Sequence, residues 1–178
     1  TTFTATSGWE PNHLLSLVAA AEAGSEHPVA QAIVAHAREL GLQLAQPQSF
    51  DAVPGHGLQA VVDGFTLNIG NKALMDRAGV DVSTLEPAAD RAAASGETPM
   101  YVAVDGAAAG LVAVADTVKP ESAEAVDQLQ ALGLEVWMIT GDNTLTARAV
   151  AAQVGITHVL ADVLPADKDA AVAQLQAQ

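Results

Sequence analysis

Four groups of residues have the types and spacing to do chemistry. Glu22 stands five positions before His27 in Glu22-Ala23-Gly24-Ser25-Glu26-His27-Pro28. A carboxylate and an imidazole on the walls of a slot can hydrogen-bond to and stack on a purine, and stacking on a flat ring is worth about 1–3 kcal/mol. That requires the flanking segments to meet in a corner; otherwise His27 is a turn residue that caps a helix. Gly55-His56-Gly57 and Gly70-Asn71 are two places where main chain could approach a ligand closely, or where turns alone demand glycine. Trp137-Met138-Ile139-Thr140-Gly141-Asp142-Asn143 is an apolar strand running into a polar turn, which in a parallel sheet is the edge where ligands bind. An N-cap role for Asp142 or Asn143 explains the same turn. Lys168 could neutralise a phosphate, pair with Asp142, or stay solvated. Neither Gly-x-x-x-x-Gly-Lys-[Ser/Thr] nor Gly-x-Gly-x-x-Gly occurs, so no standard phosphate loop is available.

The elements that would position these groups follow from periodicity. Leu14, Leu17, Val18 and Ala21 recur at helical spacing, as do Val29, Ile33, Ala37 and Leu40 beyond Gly24, and Pro28 suits a first helical turn. From Phe50 the period becomes two. Leu58, Ala60 and Val62, then Phe65, Leu67 and Ile69, form a hairpin about Asp63-Gly64; 100–104 and 109–115 pair about Asp105-Gly106. The Gly55–Gly57 and Gly70 sites then share one end of the first hairpin. Short helices are predicted over 72–78 and 84–95. After Asp116 the order becomes helix 121–132, strand 135–140, helix 144–154, strand 158–160 and a helix from Asp167. This predicts an α+β unit, an antiparallel sheet flanked by helices, followed by a partial doubly wound α/β unit.

Composition narrows the possible functions. Half of the 178 residues are hydrophobic and 16% are charged, enough to bury a core. The net charge of −14 repels a polyphosphate backbone and aromatics make up only 3%, so nucleic acid is not an expected partner. No cysteine is present, and the longest small-apolar stretch, 107–115, falls far short of the roughly 20 residues that span a bilayer. With no basic-then-apolar leader at Thr1-Thr2-Phe3-Thr4, the chain is expected to be soluble.

Taken together, the segments resemble one family, the heavy-metal-transporting P-type ATPases, and the copper exporters most. Ser25-Glu26-His27-Pro28 is similar to the family's SEHP signature, and Glu22 occupies the place of its adenine-pocket glutamate. Gly55-His56-Gly57 is similar to its Gly-x-Gly loop, Gly70-Asn71-Lys72 to the next glycine motif, and Thr140-Gly141-Asp142-Asn143 to TGDN. Asp116 with Lys119-Pro120 resembles its hinge, and Pro165 to Lys168 its P-x-D-K element. The likeness runs in order over essentially the whole chain. It implies a nucleotide-binding domain at 1–112, with Glu22, Ser25, His27, Gly55, Gly57, Gly70 and Asn71 about the ATP site. It implies that 113–178 is the C-terminal part of a HAD-like phosphorylation domain, with Asp116, Thr140, Gly141, Asp142 and Lys168 as catalytic residues. There the Thr-Gly pair contacts the transferred phosphoryl and the lysine stabilises its charge. His56 receives no role, because the family tolerates several residues between those glycines.

Several parts of the family pattern are missing. No DKTGT sequence, which would carry the phosphorylated aspartate, and no Mg-binding GDGxND sequence occurs. The expectation is a cytoplasmic piece of a membrane-embedded, ATP-driven metal pump of copper type. It would bind ATP and ADP without forming a phosphoenzyme and without metal ligands of its own, Mg being a cofactor of the parent. Its partners would be the remaining phosphorylation, actuator and transmembrane domains. Residues 1–110 hold 4 basic and 12 acidic groups, a net −8 with no basic clamp, so the adenine should carry the affinity. ATP and ADP are then expected within about tenfold of each other near 0.1–1 mM. The alternatives are a HAD-like phosphatase, which needs an Asp-x-Asp nucleophile after a strand, and a non-catalytic nucleotide-sensing module. Without the strand that the DKTGT sequence would supply, residues 117–178 are expected to pack incompletely, be partly mobile, or pair with another molecule.

Overall fold

The computed structural model describes residues 1–115 and 118–176. They form two compact units. The first comprises Thr1–Arg91 and Pro99–Val114; the second comprises Ala92–Thr98 and the described residues from Ala115 onward.

The chain runs β1 (Thr2–Ala5), α1 (Pro11–Glu22), α2 (Pro28–Glu39), β2 (Ser49–Val53), β3 (Gly57–Val62), β4 (Phe65–Gly70), α3 (Lys72–Arg77), α4 (Glu86–Ala94), β5 (Glu97–Val104) and β6 (Ala107–Ala115). The six strands make one sheet in the order β1-β6-β5-β4-β3-β2. Both expected hairpins are present. Asp63-Gly64 (φ +50° and +82°) and Asp105-Gly106 (φ +48° and +81°) each adopt two left-handed residues, the geometry that matches strand twist. The second turn is also tied to β4, since the Thr66 N–H donates to Asp105 Oδ1 at 2.9 Å.

Residue alternation along the strands places a core on each face of this sheet. Leu58, Ala60, Val62, Leu67, Ile69, Val102, Val104 and Val112 pack with α1 and α2, while Tyr101, Ala103 and Leu111 pack with Leu74, Met75 and the segment leading into α4. Helix α1 starts at Pro11, with Glu10 accepting the N–H groups of Asn12 and His13 at 3.1 and 2.6 Å. From Leu17 to Glu22 every residue is buried, and α1 packs against α2 as well as β1, β3 and β4. The run Ala19-Ala20-Ala21 has little side chain to keep the helices apart. Strands β1 and β2 were not expected as separate elements. β1 pairs antiparallel with β6 from Thr2↔Ala113 to Ala5↔Gly110, and β2 pairs with β3 from Ser49↔Val61 to Val53↔Gly57.

In the second unit, α5 (Glu121–Ala131), β7 (Trp137–Ile139), α6 (Thr144–Gln153) and β8 (His158–Leu160) lead to a 3₁₀ turn at Pro165–Asp167 and α7 (Lys168–Gln176). β7 and β8 are parallel neighbours joined through α6, a βαβ unit. Among the described residues, six of the eight exposed large apolar side chains lie here: Leu129, Leu132, Leu134, Leu145, Leu164 and Val172. No helix among the described residues is long and apolar enough to cross a membrane.

Candidate functional site

The two expected helices are joined by a tight turn. α1 ends at Glu22, α2 begins at Pro28, and the Ser25 N–H donates to the Glu22 carbonyl at 2.9 Å to turn the chain. His27 is the N-cap of α2: its Nδ1 accepts the Val29 N–H at 3.3 Å, and its own N–H donates to Ser25 Oγ at 3.3 Å. The imidazole is exposed. Glu22 differs from every other carboxylate in the first unit. It is only 5% exposed, and burial pushes its pKa from 4.5 to about 7. Among the described residues it has no ion-pair partner.

The glycine end of the hairpin is built tightly. Gly57 faces Gly70 across β3 and β4. A Cβ on Gly57 (φ +137°) would strike the Ile69 carbonyl oxygen and come within 2.6 Å of Gly70 Cα, and a Cβ on Gly70 would strike the His56 carbonyl oxygen. Asn71 locks the loop from the other side. Its N–H donates to the His56 carbonyl at 2.9 Å, its Nδ2 donates to the Gly55 carbonyl at 3.0 Å, and its Oδ1 accepts the Leu74 N–H at 3.1 Å as the cap of α3. Gly57 and Gly70 thus have a packing requirement beyond turn geometry. Gly55 (φ +73°) is exposed at the tip of the same loop.

Helix α1 also touches the hairpin. Its first turn is held at the far end of the hairpin, where Trp9 and His13 ring centroids lie 5.5 and 6.2 Å from that of Phe65, the first residue of β4. The helix packs against β1, β3 and β4.

In the second unit, Thr140-Gly141-Asp142-Asn143 leaves the C-terminal end of β7 as expected. Asn143 caps α6, its Oδ1 accepting the Leu145 and Thr146 N–H groups, each at 3.0 Å. The Thr140 hydroxyl donates to Asp142 Oδ2 at 2.8 Å and accepts the Asp142 N–H at 3.1 Å. Thr98 donates to Asp142 Oδ1 at 3.2 Å, and Thr146 donates to the Glu97 carbonyl at 2.8 Å. Gly96, Thr98, Ser122, Asp142, Thr146 and two valines line a cleft of about 220 Å³. Neither Thr98 nor Glu97 was among the expected site residues; Thr98 lies 44 positions from Asp142 and carries no local signal. Lys168 opens α7 as an exposed side chain, and no ion pair joins it to Asp142 among the described residues. Asp116 lies outside the described residues.

A family model described as haloacid dehalogenase-like hydrolase matches residues 2–178. The chain belongs to that family. Within it, this haloacid dehalogenase-like chain is 48% identical over 170 residues to a protein of Mycobacterium tuberculosis (strain CDC 1551 / Oshkosh) named "Probable copper-exporting P-type ATPase V", covering 95% of the chain and 22% of that protein. A crystal structure of a zinc-transporting PIB-type ATPase in the E2.Pi state matches 99% of the chain and 28% of its own, with a TM-score of 0.64 at 31% identity. The N-domain of HMA8, a copper-transporting P-type ATPase, matches 65% of the chain and 98% of its own, with a TM-score of 0.53 at 29% identity. The resemblance read from the motifs and the expected fold class agree with these relatives. The chain spans about a fifth of the length of the curated relative it matches.

Proposed function

We propose that this chain is the nucleotide-handling piece of an ATP-driven metal pump of copper type, standing on the cytoplasmic side of the membrane. Residues 1–112 act as its nucleotide-binding domain, and 113–178 as the C-terminal part of its phosphorylation domain. The observation that carries the reading is Glu22: a carboxyl only 5% exposed at the end of α1, with no ion-pair partner among the described residues. A purine suits such a place. Its exocyclic amine donates to the Glu22 carboxylate, the exposed His27 ring stacks or hydrogen-bonds to the base, and main chain at Gly55 and Gly57 lies against the ligand. Ser25 holds the His27 backbone, Gly70 lets the loop close, and Asn71 keeps it in place. This unit binds and orients the nucleotide; positioning and charge neutralisation do most of the work in phosphoryl transfer.

In the second domain, Thr140, Gly141, Asp142 and Lys168 serve the phosphoryl group, with Asp116 at the hinge. Among the described residues no three carboxylate or imidazole groups converge to hold a cation, so no step is assigned to Mg on this chain. The remaining phosphorylation, actuator and transmembrane domains are its partners in the parent, which carries the phosphorylated aspartate. Titration with ATP and ADP by calorimetry tests the reading. Both should bind near 0.1–1 mM, within about tenfold of each other and without loss on adding salt. A steep fall in affinity between low and moderate salt would contradict purine-dominated binding, and no binding would overturn the reading.

A further inference from the structure

Thr140 has one hydroxyl proton and two demands on it. In this structure the proton goes to Asp142 Oδ2 at 2.8 Å, while the hydroxyl oxygen accepts the Asp142 N–H at 3.1 Å. The proposed function asks the same hydroxyl to serve a phosphoryl group. A hydroxyl donates one bond, and carboxylate and phosphoryl oxygens only accept, so Thr140 can donate to the phosphoryl group only by turning away from Asp142. The main chain is not free to turn with it. The Thr140 N–H donates to the Leu160 carbonyl at 3.0 Å, the Val163 N–H donates to the Thr140 carbonyl at 3.0 Å, and the Asp162 N–H donates to the Asp142 carbonyl at 2.9 Å. Both sides of Gly141 are thereby tied to β8 and the turn after it, and the exchange is left to side chains.

Once Thr140 turns, Asp142 Oδ2 has lost its donor. Among the described residues the carboxylate then keeps a single side-chain bond, from the Thr98 hydroxyl to Oδ1 at 3.2 Å. Thr98 is braced for that part. The buried Thr146 hydroxyl donates to the carbonyl of the preceding residue, Glu97, at 2.8 Å and accepts from Asn143 Nδ2 at 3.0 Å, so the start of β5 is fastened to the same turn that carries Asp142. Thr98 and Asp142 also line the cleft of about 220 Å³, where a side chain has room to swing. A carboxylate left without a donor would either hold Thr140 back or meet an arriving phosphoryl group as a bare like charge. We propose that Thr98 is a positioning residue for phosphoryl transfer: its hydroxyl keeps the Asp142 carboxylate in place while Thr140 donates to the phosphoryl group. This rests on the reading of Thr140 given above and adds to it a residue from outside the Thr140–Asn143 segment.

The test measures transfer of label from γ-³²P-labelled ATP to the full-length protein that contains this chain. Thr98→Val, which keeps the shape and removes the donor, should slow labelling at saturating ATP about five- to tenfold, the loss expected for one hydrogen bond. The ATP concentration that half-saturates equilibrium binding should stay as in the unaltered protein, because no residue of the proposed nucleotide pocket changes. Thr98→Ala should behave like Thr98→Val, and Thr98→Ser, which returns a hydroxyl, should recover most of the rate. In the 178-residue chain, the ¹³Cγ signal of Asp142 should move in Thr98→Val and Thr98→Ala and stay near its place in Thr98→Ser. A normal labelling rate in Thr98→Val or Thr98→Ala, a loss that appears in ATP affinity instead of rate, no recovery in Thr98→Ser, or an unmoved Asp142 signal overturns the Thr98 assignment alone. No labelling of the unaltered protein overturns the phosphoryl-transfer reading and this one with it.

Discussion

Replacing Glu22 by glutamine should change how the stability of the first unit depends on pH. The Glu22 pKa is raised from 4.5 to about 7 by burial in the folded chain. Between those values the native state holds more protons than the unfolded one, so stability falls as pH rises through the window and levels off above it. At about 1.4 kcal/mol per pKa unit, the carboxylate costs on the order of 3 kcal/mol at pH 8 relative to pH 4.5. The amide of Glu22→Gln keeps the shape and cannot ionise. The stability difference between variant and parent should therefore swing toward the variant by about 3 kcal/mol across this range, or about 2 M in the urea midpoint for a unit of this size. Trp9 reports on the first unit if Trp137 is changed to Phe in both proteins. The same group couples to ligand: if the ionised form accepts the purine amine, only about a tenth of the free chain is competent at pH 6 and about nine-tenths at pH 8. Affinity for ATP should then rise about ninefold, and Glu22→Gln should flatten that rise. Parallel urea curves for parent and variant from pH 4.5 to 8 would refute the argument, since they would mean that Glu22 ionises freely.

Other outcomes follow from the same geometry. His27→Ala should weaken ATP binding by about 1–2 kcal/mol in calorimetry, and unchanged affinity would leave His27 as the cap of α2 alone. Gly70→Ala should destabilise the first unit by about 2–3 kcal/mol in a urea titration, because its Cβ meets the His56 main chain rather than a movable side chain; a neutral effect would mean the hairpin end yields. In native-state hydrogen exchange, amides of β3 and β4 should outlast those of β7 and β8, whose unit leaves most of the large exposed apolar residues uncovered. Equal protection would show the second unit to be as self-sufficient as the first.

Local rules carried much of this fold. The 3.6 spacing of Leu14, Leu17, Val18 and Ala21, the Gly24–Pro28 break and the two Asp-Gly turns are short-range signals, and each produced the expected element. β1 escaped because Thr2-Phe3-Thr4-Ala5 has a single large apolar residue and becomes a strand only by pairing with β6, more than a hundred residues away. β2 lies at the other edge, where Phe50 is 42% exposed and burial supplies little pattern. At the site, the sequence left Gly57 and Gly70 open between turn and ligand. Their mutual contact across β3 and β4 is a third requirement that no local window contains. The Thr98 bond to Asp142 is likewise a product of packing.

Charge explains why recognition should concentrate on the uncharged end of the nucleotide. The first 110 residues carry a net −8, and Lys72, beside the glycine motif, is already engaged by Asp76 at 3.5 Å and Glu86 at 3.0 Å. A polyphosphate gains no fixed cation here. A buried carboxylate within the same acidic surround is costly until a donor meets it, and a purine amine brings that donor without bringing further negative charge. If the chain binds ATP as proposed, its phosphates would remain in solvent and binding would be weak, since no phosphate contact would add to the affinity.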